Sequence, residues 1–175
     1  IETLILNGLR DKGEEGGQAL HLGNRRAIDS LIATHSVIYN QVDQIFYVSK
    51  GPGLAGEFLG FDLKASFSKH RPTVAKVLPK DPLVTEEVFL SVRESAKLVL
   101  KAAKQIRQKQ CDAAETTLNE ARQLFEESSG YYMVLGNLHE CRGDMQNAKS
   151  SWKKALELFP AYAKDEKYLK SKLGI

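Results

Sequence analysis

Residues 132–160 read YMVLGNLHECRGDMQNAKSSWKKALELFP, and this stretch decides the fold of the second half of the chain. Its small and large apolar side chains recur every three or four residues, which is the spacing of one helix face. Arg142-Gly143-Asp144 interrupts the pattern, because Gly143 can adopt a left-handed conformation at a helix end and Asp144 can cap the next helix. Pro160 ends the second helix or begins its successor. The stretch therefore predicts two helices joined by a tight turn.

The small residues of this stretch allow the two helices to lie close together. They are Gly136, Ala148 and Ala155, and the remaining space is filled by Tyr132, Leu135 and Trp152. The combined pattern resembles the tetratricopeptide repeat, a helical hairpin of about 34 residues. His139 departs from the pattern, since it stands where a large aromatic residue is usual. The resemblance implies that this region binds a protein or peptide.

A weaker copy of the pattern lies one repeat earlier, at a shift of about 34 residues. The second-helix positions recur as Ala114, Leu118 and Ala121. The first-helix positions match less well, at Leu98, Lys101 and Ala102. We predict a degenerate first repeat at residues 93–127, with its turn at Gln110-Cys111-Asp112, and a polar capping helix after Pro160. Fewer than three full repeats rarely stand alone, so the pair should pack against the preceding domain or against sequence outside this chain.

Residues 1–85 follow different periodicities. The segments ETLILNGLR (residues 2–10) and NRRAIDSLI (24–32) each predict a short amphipathic helix, the second with Asn24 as its cap. The β-rich runs THSVIYN (34–40) and QIFYVSK (44–50) predict a hairpin. The first half of the chain is therefore expected to be β-rich with flanking helices.

The predicted hairpin is followed by EFLGFDL (residues 57–63), which predicts a further strand. HRPTVAKVLPKDP (70–82) contains three prolines and predicts an irregular linker, after which helix begins near Thr85. The expected fold class is α+β. Its two parts are a β-rich segment at 1–85 and an all-α region of helical repeats with a capping helix at 86–175.

Composition and charge exclude some classes of protein. Hydrophobic residues make up 42% and charged residues 27%, as in an ordinary globular protein. The net charge of +3 is slight and the basic residues are interleaved with acidic ones, so we expect no nucleic-acid partner. No apolar run approaches the ~20 residues that span a bilayer. Because the chain begins at Ile1 without Met, we expect a processed product or a fragment, and its localisation stays open.

The residues with reactive side chains do not form a complete site. GPGLAG (residues 51–56) lacks the spacing and the lysine of a phosphate-binding loop and predicts a turn. His35 and Ser36 are adjacent in a strand, so their side chains should point to opposite faces. Cys111 and Cys141 are expected to pack between helices and to form neither a disulfide framework nor a metal site. The other histidines are too scattered for zinc, at His21, His70 and His139. No catalytic, cofactor-binding or metal-ligating residue is assigned.

The run THSVIYNQVDQIFYVSKGPGLAGEFLGFDLKASF (residues 34–67) combines a hairpin, a glycine-proline turn and a strand that leads to an aromatic residue. It resembles the C-terminal end of the catalytic domain in acyltransferases and amidohydrolases related to isopenicillin N acyltransferase. The likeness covers about residues 20–67. The corresponding features are His35-Ser36-Val37, Tyr47-Val48-Ser49, Gly51-Pro52, Gly56-Glu57-Phe58 and Asp62-Leu63.

This resemblance implies an N-terminal nucleophile hydrolase fold, with two sheets between helix layers. In such proteins, cleavage of the chain exposes an N-terminal cysteine, whose α-amino group acts as the general base for attack on an amide or thioester. The present chain starts with Ile1, and Cys111 and Cys141 lie in the other half. The nucleophile would therefore lie upstream of this sequence.

Two functions remain open. One is the C-terminal portion of a cysteine N-terminal nucleophile acyltransferase or amidohydrolase that carries a helical-repeat interaction region. The alternative is a non-enzymatic tetratricopeptide-repeat module for protein–protein interaction. The expected partner is a protein or peptide bound by the repeats, or an upstream chain of the same protein, and no cofactor is expected. The first-helix face offered to a partner would carry Asn137, Lys101 and Arg142.

Overall fold

The computed structural model describes residues 2–14 and 16–175. The fold is α+β, as predicted: a four-stranded antiparallel sheet lies in the first half, and the second half is helical. Among the described residues, no helix combines the length and apolar character needed to cross a membrane.

The sheet is a simple meander, in which each strand pairs with the next one along the chain in the order β1-β2-β3-β4. The predicted hairpin and the strand after it are confirmed by β1, β2 and β3. The first of the two predicted N-terminal helices is confirmed by α1. The elements are α1 Glu2–Leu9, β1 Val37–Asn40, β2 Ile45–Ser49, β3 Phe58–Asp62, α2 Leu63–Ser68 and β4 Val74–Leu78.

One face of the sheet is buried against α1. Successive strand residues point to opposite faces, and the alternate residues Ile38, Tyr47 and Phe58 are 4%, 0% and 0% exposed. A Cβ at Gly60 would lie 2.6 Å from Cε1 of Tyr47, so glycine leaves the space that the ring occupies. The core formed here consists of Leu6, Ile38, Ile45, Tyr47, Leu54, Phe58 and Leu78.

The second half consists of two helical hairpins followed by a fifth helix. The first hairpin is α3–α4, the second is α5–α6, and α7 packs against α6. Short loops join consecutive helices, so neighbours run antiparallel. The helices are α3 Glu86–Arg107, α4 Cys111–Leu124, α5 Ser129–Cys141, α6 Met145–Glu157 and α7 Ala163–Leu173.

Side-chain caps set the starts of three of these helices. Thr85, Ser128 and Asp144 each accept a hydrogen bond from the backbone N–H three residues later. Buried Ser95 of α3 serves the end of α4, since its Oγ lies 3.0 and 2.7 Å from the carbonyl oxygens of Ala121 and Phe125. The predicted helix start near Thr85 and the predicted cap at Asp144 are confirmed.

The helical core contains the positions that the sequence pattern singles out on α4 and α6, whereas on α5 the predicted Tyr132 and Leu135 are only partly buried. Trp152 is fully buried and packs directly against Gly136, where any Cβ would overlap the indole ring. A larger residue than glycine would push α6 away from α5. The small and large positions of both hairpins are at most 1% exposed: Ala114, Leu118, Ala121, Ala148, Trp152 and Ala155.

The turns of the two hairpins place equivalent residues in the left-handed region. Gly143 has φ +79° between α5 and α6, as predicted. Lys109 has φ +60° between α3 and α4 and takes the place of a glycine. The first turn was predicted at Gln110-Cys111-Asp112 and lies earlier, because Cys111 already begins α4.

Cys111 and Cys141 form a disulfide, so the prediction that they pack as unlinked small residues is wrong. Cys111 begins α4 and Cys141 ends α5. Because these helices run antiparallel, the start of one lies beside the end of the other, and the two Cα atoms are 6.3 Å apart. This proximity depends on tertiary packing and is not visible in the spacing of the cysteines.

Residues 24–32 form a series of turns, so the helix predicted there is wrong. Asn24 is 1% exposed, and its side chain accepts from the backbone N–H of Arg26 and donates to the carbonyl of Phe159. Asp29 is 2% exposed and accepts from the N–H of Leu31. Such bonds from short polar side chains compete with helical hydrogen bonds.

The segment predicted as an irregular linker contains strand β4, so that prediction is also wrong. Pro72 and Pro79 flank the strand and do not interrupt its ladder with β3. The pairing of Leu59 with Val77 shows why local patterns missed it. A strand with little alternation of its own is stabilised by a partner that is distant in sequence.

Candidate functional site

The face of the sheet away from α1 is apolar and uncovered by the described residues. Cross-strand pairing aligns Val37, Val48, Leu59 and Val77 in one row. It aligns Tyr39, Phe46, Phe61 and Val74 in a second row. We call these eight residues the open sheet face.

The open sheet face is unusual because its apolar side chains are exposed to solvent. Val37, Tyr39 and Val77 are each 51% exposed, and the four residues of the two central strands are partly exposed. A solvent-facing side of an antiparallel sheet normally carries polar residues. A contiguous apolar patch of this kind marks an interaction surface.

Helix α2 extends this apolar surface. A hollow of about 440 Å³ lies between α2 and the sheet, lined mainly by Phe46, Phe61, Leu63, Phe67 and Pro72. Phe67 is 75% exposed. The open sheet face and this hollow share Phe46 and Phe61, so they form one continuous surface.

A second concave region lies between the two halves of the chain. One wall is helix α3, and the other is formed by residues 30–34 together with Pro52 and Gly53. Its volume is about 670 Å³. We call it the junction cleft.

A buried ionic cluster holds the loop wall of the junction cleft in place. Lys12 Nζ lies 3.2 Å from Asp29 Oδ2 and 2.5 Å from Asp81 Oδ2. Burial acts to raise the pKa of Asp81, but hydrogen bonds from Lys12 and from the Leu83 N–H outweigh it and lower the pKa below its ordinary value. Asp29 and Asp81 both pair with Lys12, and they tie the loop containing Asp29 to the end of the sheet.

Arg10 reinforces the same region. Its guanidinium donates to the carbonyl oxygens of Leu54, Gly56 and Pro79 at 2.8–2.9 Å. The Gly51-Pro52 turn and the residues after β4 are thereby fixed to the end of α1. The glycine-rich segment 51–56 is a turn between strands, as predicted.

Two of the three residues expected to face a partner of the repeats have internal roles instead. Asn137 Oδ1 accepts from Trp152 Nε1 at 3.0 Å and from Tyr168 Oη at 2.8 Å. Arg142 pairs with Asp112 and Glu115 at 2.7 and 2.6 Å. Lys101 is exposed on α3. Asn137 and Arg142 therefore stabilise the helix packing.

Apart from the disulfide-bonded Cys111 and Cys141, the reactive residues weighed in the sequence are not brought together into a site. His35 is exposed with Nδ1 3.1 Å from Thr34 Oγ1, while the N–H of Ser36 donates to Ser49 Oγ. The described residues contain no group of three or more His, Cys, Asp or Glu side chains that could hold a metal ion.

Sequence reasoning missed both surfaces, although each leaves a trace in the sequence. Strands β1 to β3 have apolar residues on both faces, whereas a strand with one solvent-exposed face would have polar residues on that face. On α3, Phe89, Val92, Ala96 and Leu100 follow a helical spacing separate from that of the core residues.

No known family model, curated protein or solved structure matches this chain.

Proposed function

We propose that the first half of this chain is the C-terminal part of the catalytic domain of a cysteine N-terminal nucleophile acyltransferase or amidohydrolase. Helices α3 to α7 are, in this proposal, a pair of tetratricopeptide-type repeats with a capping helix that mediates protein interaction. The proposal is supported by the resemblance carried by residues 34–67 and by the open sheet face.

The open sheet face is the observation that carries the proposal. In a fold with two sheets between helix layers, each sheet packs one face on helices and the other on the second sheet, about 10 Å away. The sheet of this chain has α1 on one face and eight apolar side chains on the other. That is the composition expected of an inner face that meets a second sheet.

The chemistry follows from the proposed class. The thiol of an N-terminal cysteine attacks the carbonyl of an amide or thioester, its proton passing to the α-amino group. The amine or thiol leaving group then takes that proton, and the acyl group remains on sulfur. Water or an acceptor amine attacks the acyl-enzyme and regenerates the thiol. The cysteine would belong to sequence upstream of this chain. That upstream part would also supply the second sheet, which packs on the open sheet face.

The repeat assignment is supported by the equivalence of the two hairpins. Ala114 and Ala148 are fully buried in the second helices of the two hairpins, and so are Ala121 and Ala155. Lys109 and Gly143 both have positive φ at the two turns. Such helical pairs stack on neighbours and offer surface for protein binding.

Intact-mass analysis of the natural protein tests the proposal, combined with N-terminal sequencing of every chain found. An upstream chain that begins with cysteine, copurifies with this one and hydrolyses N-acyl amides is the expected result. Alkylation with iodoacetamide under non-reducing conditions should modify that cysteine and abolish hydrolysis.

The present chain provides the control for the alkylation experiment. Both of its cysteines are in the disulfide, so it should take up no iodoacetamide without reduction. A single uncut natural chain with no exposed N-terminal cysteine would contradict the enzyme proposal. It would leave the helical repeats as a non-enzymatic interaction module.

A further inference from the structure

The lining of the junction cleft separates into an apolar floor and a basic edge. Phe89, Val92, Ala96 and Leu100 of α3 form an apolar stripe about 16 Å long at 1.5 Å rise per residue. Leu31, Ile32, Ala33 and Pro52 form the apolar part of the opposite wall. Ile32 is 54% and Leu100 is 72% exposed, so both have apolar surface left to bury.

Among the described residues, three cations line the same cleft and no carboxylate does. Arg93 and Lys97 follow one edge of the α3 stripe, since they lie one and five residues after Val92 on a helix with 3.6 residues per turn. Arg25 approaches from the loop wall. The ion pairs of the described residues include neither Arg25 nor Arg93, while Lys97 pairs with Glu94 on the exposed side of the helix.

This arrangement selects the chemistry of a ligand. The charged side chains of the described lining are all cationic, and its other polar side chains are the hydroxyls of Ser30 and Thr34. An aliphatic chain needs no hydrogen bonds from the floor, and each buried methylene contributes about 0.8 kcal/mol. A terminal anion would then meet guanidinium and ammonium groups at the edge. The cleft volume of about 670 Å³ lies within the range of small-molecule sites, about 300–1,000 Å³.

We infer that the junction cleft binds an amphipathic anion, namely a fatty acid carboxylate whose aliphatic chain lies along the α3 stripe and whose carboxylate meets Arg93, Lys97 and Arg25. The inference stands on side chains of this chain alone and does not depend on the proposed function. It makes the contact between the two halves of the chain a ligand site.

Isothermal titration of the whole chain with laurate below its micellar concentration tests the inference. Saturable 1:1 binding is expected, and two additional methylenes should tighten it about ten-fold until the cleft is full. Dodecanol has the same chain without the charge and should bind at least ten-fold more weakly. This comparison needs no variant and therefore stands even if substitutions disturb the fold.

Variants on α3 locate the site. Arg93→Gln should weaken laurate binding about ten-fold and leave dodecanol binding unchanged, because only the charged contact is lost. Ala96→Trp should abolish binding of both by filling the floor. Lys104→Gln is the matched control, since Lys104 is exposed on the same helix outside the cleft. Circular dichroism of each variant should match that of the original chain.

Three results would overturn the inference. They are the absence of saturable laurate binding, equal affinity for dodecanol and laurate, and retention of laurate binding by folded Ala96→Trp. Retention would place any laurate site elsewhere on the chain.

Discussion

Lys109 and Gly143 occupy the same position in the turns of the two helical hairpins, and both have positive φ, +60° and +79°. A left-handed conformation costs a non-glycine residue roughly 1–2 kcal/mol relative to glycine. Replacing Lys109 with Gly should therefore raise the free energy of unfolding by about 1 kcal/mol, as measured by urea denaturation. Gly143→Ala is the reciprocal change and should lower it by about the same amount. Destabilisation by Lys109→Gly would mean that the lysine side chain makes contacts that outweigh its backbone strain.

Glu2 connects α1 to the sheet through its carboxylate, which accepts from Asn40 Nδ2 at 2.9 Å and from Tyr47 Oη at 3.1 Å. A backbone hydrogen bond at Glu2 and then these side-chain bonds lower its pKa from 4.5 to about 2. Because the pKa is lower in the folded state, ionised Glu2 contributes stability above pH 4.5 that is lost as the pH falls towards 2.

The pH dependence of the urea midpoint between pH 6 and pH 2 tests this role of Glu2. Glu2→Gln should lower the midpoint at pH 6 and flatten its decline in acid. Glu94→Gln, at an exposed carboxylate paired with Lys97, is the control and should leave the profile unchanged. Equal acid sensitivity of the Glu2→Gln variant and the original chain would assign the effect to other groups.

The disulfide cross-links the two helical hairpins. Cys111 and Cys141 are separated by 30 residues, and closing a loop of that length in the unfolded chain is worth about 3.5 kcal/mol in the chain-entropy model. The Cys111→Ser/Cys141→Ser variant should lose about that much unfolding free energy and keep its helix content. Reducing the original chain with dithiothreitol should give the same loss, and dithiothreitol should not affect the variant. A loss below about 1 kcal/mol would contradict this expectation and would mean that the reduced unfolded chain retains residual structure.

Elements with a strong local signal could be predicted from the sequence, and elements fixed by distant contacts could not. The hairpin α5–α6 was readable because Gly136, Gly143, Asp144 and Trp152 each have a local packing or turn role. Strand β4 was missed because its evidence is the register of Val77 opposite Leu59 in another strand. The turns at 24–32 were misread as a helix because the partner of Asn24, the Phe159 carbonyl, lies in the other half of the chain.

The candidate surfaces depend on how the whole molecule is assembled. The open sheet face requires knowledge of which side α1 covers, and the junction cleft requires the packing of loop 30–34 near α3. Neither follows from periodicity, although the apolar alternation of β1 to β3 and the second stripe of α3 were both present in the sequence. Sequence reasoning placed the buried positions of α4 and α6 correctly, but it could not show which other side of an element stays uncovered.

The exposure of the open sheet face predicts that its two edges can be altered without loss of stability. Val37 and Val77 end one cross-strand row and are each 51% exposed, and threonine retains β-branching and strand preference. The Val37→Thr/Val77→Thr variant should change the unfolding free energy by about 0.5 kcal/mol or less per site. Ile38→Thr is the matched control. The Ile38 side chain, next to Val37 in the strand, is 4% exposed, so this substitution should lower the unfolding free energy by about 2 kcal/mol or more.

In sedimentation velocity the double variant should also self-associate less than the original chain, because an apolar patch has become more polar. If the double variant is as unstable as Ile38→Thr, the face is covered within this chain, and a second sheet has no place to pack.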